Sequence, residues 1–336
     1  MTSIDDVAAA LGVSTATVSR ALRGLPGVAE ETRARVTATA RSLGYVPSSA
    51  ASGLASGRTM AMGVLVPAID RWYFSAVLEG IDRQLRAAGY DLIVFSLGGD
   101  GVNRDRVFHR SILRKRIDAL VVMCMHLTAE EREAVQQLEY PHIVVGGAVE
   151  GVRHVGIDDA RAARDAVEHL IGHGHTRIAH MRGGGSFDID FEVPRLRGEA
   201  FRRTMADHGL PVREDWSSFG DFTFATSRVS ALALLADPAD RPTAVFCSSD
   251  EMAFGVLRAA AEIGIDVPGE LSVIGIDDHE FAEPMGLTTV RQDPGDQGAY
   301  AADLLLGELL RHEPAEYPPS RPHVLVERAS TGPVRH

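Results

Sequence analysis

The sequence predicts an all-α head of helix-turn-helix type, joined by a short linker to a large α/β body built on parallel sheets. Three observations predict it: helically spaced apolar residues in about the first 45 positions, a run of small polar residues after them, and β-branched strands alternating with amphipathic helices from Met60 onward. A chain of 336 residues, 45% hydrophobic and 24% charged, is long enough for two or three domains. Its two cysteines, Cys124 and Cys247, sit in apolar runs, which excludes a disulfide scaffold. The mid-chain apolar stretch Ala119 to Met125 is far short of the roughly 20 residues that span a bilayer. Asp5 and Asp6 stand where a secretory leader would be basic, so the expected location is the cytoplasm.

The first helix places Ile4, Val7, Ala8 and Leu11 on one face, with Ser3 and Asp6 as a capping pair and Gly12 as its stop. Ser14 caps a second helix whose Val18, Ala21 and Leu22 point inward. Thr15, Ala16, Thr17, Ser19 and Arg20 are left outward. A third helix, from about Glu30 to Leu43, buries Val36, Ala40 and Leu43 and ends at Gly44. Small side chains let the second helix enter a major groove, hydroxyls and the helix amino end bond phosphate, and Arg20 matches the O6 and N7 acceptors of guanine. Charge agrees: residues 1–58 carry six arginines against four acids, net +2, while the rest of the chain is −14 within a total of −12. A polar helical bundle is the competing reading of these residues alone.

Residues 47–58, Pro-Ser-Ser-Ala-Ala-Ser-Gly-Leu-Ala-Ser-Gly-Arg, have linker composition except for Leu54. A helix this short is marginal in water, and Gly53 weakens it by roughly 1 kcal/mol relative to alanine.

Taken together, Ile4-Asp5-Asp6-Val7-Ala8, Val13-Ser14-Thr15-Ala16-Thr17-Val18-Ser19-Arg20-Ala21-Leu22, Glu31-Thr32-Arg33 and Leu43-Gly44-Tyr45-Val46-Pro47 resemble the head of LacI/GalR-type bacterial transcriptional regulators. The resemblance implies that the linker forms a hinge helix on DNA, with Leu54 wedged into the minor groove, and that Thr15, Ala16 and Arg20 face the major groove. It also implies a body similar to periplasmic sugar-binding proteins, with two lobes, three crossovers and a ligand cleft. The expected domains are a head over 1–46, a hinge over 47–59 and an effector-binding and dimerisation body over 60–336. Lobe one would take about 60–158 and 290–320, and lobe two 159–289 and 321–336. There are three departures from the pattern: Ala29 stands where a serine usually caps the third helix, Ala16 offers no hydrogen bond to a base, and Gly53 and Ala55 flank the wedge leucine.

In the body the expected strands are Ala61–Val66, Tyr90–Phe95, Ala119–Cys124, His142–Val145, Arg177–Met181, Trp216–Phe219, Thr243–Cys247 and Ser272–Ile276, with a carboxy-terminal strand near Val324–Glu327. Ligands in such sheets bind beyond the carboxyl ends of strands, where Trp72 and Phe74, His126, Asp158, Arg195, Phe222, Asp250 and Asp277 accumulate here. Arginine and carboxylates bond vicinal hydroxyls and flat rings cover apolar sugar faces, so the expectation is an Arg195–Asp277 clamp with Phe222 or Trp72 stacking. Asp158 and Asp250 serve equally well as caps of the helices that follow.

Arg182-Gly183-Gly184-Gly185-Ser186 lacks the spacing and the lysine of a phosphate loop and reads as a flap. His169, His173, His175 and His180 cluster in sequence, but Gly172 and Gly174 end the helix there, so no metal site and no cofactor is expected. Ser248-Ser249-Asp250 lacks the glycines of a nucleophile elbow, and no enzyme is expected. The reading is a repressor, a homodimer on a near-palindromic operator, controlled by a small molecule of carbohydrate type. A transport receptor, or a cytosolic sugar-binding or sugar-processing protein, accounts for the body but leaves residues 1–58 idle.

Overall fold

The computed structural model describes residues 2–22, 24, 26–45, 58–97, 101–109, 116–125, 127–147, 149, 151–184, 192–311 and 320–335. The chain divides into two compact units, Met1–Met60 and Ala61–His336. Leu54 and His126 lie outside the described residues, as does most of the linker.

In the first unit, α1 (Ile4–Leu11) opens on a reciprocal cap: the Asp6 N–H donates to Ser3 Oγ at 3.2 Å and the Ser3 N–H to the Asp6 carboxylate at 2.7 Å. Gly12, at φ +66°, ends it. Ser14 Oγ accepts the Thr17 N–H at 3.1 Å and starts α2 (Thr15–Leu22). Helix α3 (Glu30–Ser42) begins at Ala29 with no side-chain cap, as the sequence departure implies. Val7, Ala8, Val18, Ala21, Val36 and Ala40 form the small core. Leu43 is not part of it: the helix stops at Ser42, Gly44 turns the chain at φ +65°, and Tyr45 packs back in its place.

The second unit carries two sheets. Strands β1 (Ala61–Val66), β2 (Asp91–Ser96), β3 (Ala119–Met123), β4 (His142–Val145) and β5 (His154–Val155) are all parallel, in the order β2-β1-β3-β4-β5. β1 and β3 are buried at every position, the signature of a parallel sheet covered on both faces. Strands β6 (Ile178–Arg182), β7 (Ser217–Phe219), β8 (Ala244–Cys247), β9 (Ser272–Asp277), β10 (Thr288–Arg291) and β11 (Val324–Val326) follow the order β11-β10-β9-β8-β6-β7. Among the described residues, only the β10–β11 pairing is antiparallel.

Helix α4 (Trp72–Ala88) and the late helix Pro294–Leu306 close lobe one backbone to backbone. A Cβ on Gly80 would meet Gly295 O at 2.0 Å, and one on Gly298 would meet Val77 O at 2.2 Å, so only glycine permits this approach. The chain passes between lobes three times: after β5, after β10, and between that late helix and β11. β10 went unread in the sequence, and it extends lobe two to Arg291. A helix at Ala129–Gln136 was also unread, although Thr128 and Glu131 form its capping box and spell that motif in the sequence. No described helix is long and apolar enough to cross a membrane.

Candidate functional site

Carboxyl ends of strands from both sheets of the second unit surround a cavity of about 110 Å³. Its most buried cation is Arg197, on the helix Glu192–Asp207 and 4% exposed. That guanidinium donates from Nε to Asp159 Oδ1 at 2.8 Å, lies 2.7 Å from the same oxygen through Nη2, and reaches Ser248 O through Nη1. Burial still drives the Asp159 carboxyl up, Arg197 offsetting only part of the effect.

Asp277 ends β9, with φ at +137°, and Asp278 follows at +57°. Such angles are rare outside glycine and turn the carboxylate off the strand into the cavity. Gln292 Nε2 donates to Asp277 Oδ1 at 2.7 Å, Gln297 Nε2 to Gln292 Oε1 at 2.9 Å, and Tyr73 OH to Gln297 Oε1 at 2.8 Å. This row joins α4 of lobe one to β9 of lobe two. Burial pushes Asp277 up to about 6, against the pull of Arg197, and pushes Glu251 up to about 7 with Asp277 adding to it. The Tyr73 phenol is also raised by burial. Cys124, in the same lining, is pushed up to about 12 by burial, so its thiol is protonated and a poor nucleophile at neutral pH. Phe222 supplies the aromatic wall; Asp221 and Phe222 both hold positive φ, +53° and +52°, and a Cβ on Gly183 would strike the Phe222 ring at 2.1 Å.

Of the residues expected to meet a ligand, Phe74, Phe222 and Asp277 line this cavity. Arg195 does not: its side chain is 52% exposed and pairs with Glu192 and with Glu199 at 2.7 Å. Two helical steps turn a side chain by about 200°, so Arg197 and not Arg195 faces the cleft. Trp72 lies instead against His279, ring centroids 4.8 Å apart and the planes tilted by 36°. Asp158 accepts the Arg161 N–H at 2.9 Å as the cap of helix Asp159–Gly172. Asp250 is buried, accepting from Thr289 Oγ1 at 2.7 Å and the His279 N–H at 2.9 Å, while Ser249 caps its helix, Asp250–Glu262. Sequence reasoning passed over Asp159, Arg197, Glu251, Gln292 and Gln297, which line the cavity with Tyr73.

The four histidines go to three places. His175 bonds Thr243 Oγ1 and Ser272 Oγ, both at 3.0 Å. His180 stacks on Phe246 and bonds Ser248 Oγ at 2.8 Å, burial pushing it down to about 3. His169 and His173 meet edge to face at 4.6 Å, with the His173 Nε2 3.8 Å from Glu327.

On the first unit, Ser14, Thr15, Ala16 and Arg20 are exposed, and Thr17 and Ser19 half-buried. Arg20 rests on the following loop, donating to Pro26 O from Nη2 at 2.9 Å and Nε at 3.3 Å. Ser14 Oγ and Thr17 Oγ1 lie 2.9 Å apart, so these hydroxyls serve the helix start as well as the surface.

Residues 3–48 match the family of bacterial regulatory proteins of lacI type, and residues 167–331 the periplasmic binding protein-like domain. The chain is 33% identical to catabolite control protein A of Priestia megaterium over 336 residues, covering 98% of this chain and 99% of that protein. It is 32% identical to the ribose operon repressor of Escherichia coli (strain K12) over 335 residues, covering 98% and 100%. A crystal structure of the lac repressor dimer bound to operator and the anti-inducer ONPF matches with a TM-score of 0.84 and 26% identity, covering 98% of this chain and 99% of that one.

Proposed function

The chain belongs to the lacI family of bacterial regulatory proteins, and from that premise we propose that it is a transcriptional repressor, not an enzyme, whose grip on operator DNA is set by a small carbohydrate held between the two lobes. One observation carries this reading. The same chain holds a helix-turn-helix head with Ser14, Thr15, Ala16 and Arg20 exposed and a cavity lined by Arg197, Asp277 and Phe222. The cavity's volume is well under the roughly 300 Å³ at which pockets for larger ligands begin, which favours an occupant of one ring.

In this reading Arg197 and Asp277 bond the hydroxyls of the sugar and Phe222 covers its apolar face. The head acts as one of two in a homodimer on a near-palindromic operator, because one small head covers too little DNA for operator affinity. Arg20 leaves Pro26 to read a guanine, and residues 47–59 form the hinge with Leu54 as the wedge. The protein works in the cytoplasm, on the chromosome. Control requires only that the sugar favour one lobe arrangement over the other.

The test is a thermal-shift screen of monosaccharides on the full chain, paired with fluorescence anisotropy on DNA from its own promoter region. The expected result is that a sugar raising the melting temperature also changes operator affinity. A stabilising sugar that leaves DNA binding untouched, or one that is chemically converted, overturns the reading.

A further inference from the structure

A neutral sugar does not account for the charge around the cavity. Of the charged side chains lining it, Asp159, Asp221, Glu251 and Asp277 are acidic and Arg71 and Arg197 basic. Asp159 and Arg197 satisfy one another. Asp277, only 7% exposed, lines the cavity while accepting from Gln292 Nε2 and from the Asp250 backbone. Glu251 is half-buried on the first turn of its helix and has no side-chain hydrogen bond among the described residues.

A carboxylate on the first turn of a helix is ordinarily stabilised in its charged form. Glu251 goes the other way, because burial and the neighbouring Asp277 outweigh the helix end; Asp70 adds to the push and Arg71 opposes it. Two carboxylates, Glu251 and Asp277, thus line one small, aromatic-walled space, burial acting against the charge of each, with Asp277 adding to it at Glu251 and Asp159 at Asp277. A cation placed between them would relieve both, whereas an anion would add a third like charge.

We propose that the effector is a single ring bearing a basic nitrogen, in chemical class an amino sugar, with its ammonium between Glu251 and Asp277 and its hydroxyls and apolar face on Arg197 and Phe222. This rests on the cavity being the effector site. It makes Glu251 the residue that separates amino sugars from plain sugars and sets both against sugar phosphates.

The experiment is calorimetry on the full-length protein with hexosamines, their parent hexoses, the N-acetyl derivatives and the 6-phosphates, at pH 5.5 and 7.5. At pH 7.5 one free hexosamine binds at least tenfold tighter than its parent hexose, and its N-acetyl and phosphate derivatives bind more weakly than it does. At pH 5.5, with the carboxyls taking up protons, that preference falls at least threefold. In Glu251→Gln the preference shrinks to less than threefold, and the urea midpoint of the variant checks that it is folded. A parent hexose or a 6-phosphate binding as tightly as the hexosamine overturns the proposal while leaving a carbohydrate effector standing. Failure of every sugar class to bind overturns the carbohydrate reading and this proposal with it.

Discussion

Replacing Arg197 with methionine separates it from Arg195, on the same helix, by their surroundings. Arg197 is 4% exposed and holds Asp159, itself buried, through two contacts under 3 Å. Removing one partner of a buried pair strands the other charge, a loss of roughly 3–5 kcal/mol. For a unit of this size each kcal/mol moves the melting temperature by about 2–4 °C, so the midpoint should fall by about 6–20 °C. Adding Asp159→Asn to Arg197→Met removes the stranded charge and should bring the double variant back to within about 2 kcal/mol of the parent. Arg195→Met loses only exposed pairs with Glu192 and Glu199, no more than about 1 kcal/mol. Differential scanning calorimetry of the three variants decides the matter. Equal losses for the two single variants, or a double variant less stable than Arg197→Met, would refute the reasoning.

Glu251→Gln carries the pH dependence. The folded carboxyl titrates at about 7 against an ordinary 4.5, so its stabilising contribution is complete below about 4.5 and is lost as pH rises through about 7. Full burial would make that roughly 3 kcal/mol, and partial exposure leaves about 1–2 kcal/mol. The variant should therefore melt higher than the parent at pH 8.5 and equally at pH 4.5; a difference independent of pH counts against it. Arg20→Ala should weaken cognate operator binding by roughly 1–3 kcal/mol and flatten preference at one base position; an equal loss on random DNA contradicts a reading role. Ala29→Ser should stabilise the head by about 1 kcal/mol through the cap that α3 lacks, read as slower amide exchange in that helix, and unchanged exchange would dismiss the cap argument.

The two sheets and the three-helix head were legible because their signals are periodic and redundant. A strand buried along its whole length, such as Ala119–Met123, announces itself in composition alone. The cavity was legible in location but not in identity. Trp72, Asp158, Arg195 and Asp250 do not line the cavity, whereas Tyr73, Asp159, Arg197 and Glu251 do. Each offset is one or two residues within the first turns of a helix, where a single position turns the side chain by about 100°. Phase there depends on which residue caps, and Ser249 rather than Asp250 does so. Phe222 and Asp277 stand at strand ends outside any helix, so no helical phase intervened, and both line the cavity as expected. The glutamine row was invisible because Gln292 and Gln297 belong to the crossover from β10 into the last helix of lobe one, and β10 itself went unread.

The glycine seam between α4 and the helix Pro294–Leu306 fixes when the protein can mature during translation. Lobe one lacks one of its covering helices until about residue 306 has left the ribosome, and lobe two lacks its β11 edge until Val326 has followed. Each lobe waits for sequence made after most of the other, so the usual order in which an upstream domain finishes first gives way to joint completion. A nascent chain arrested after Arg291 should present to chaperones a first sheet with one face uncovered and a second sheet without its edge strand.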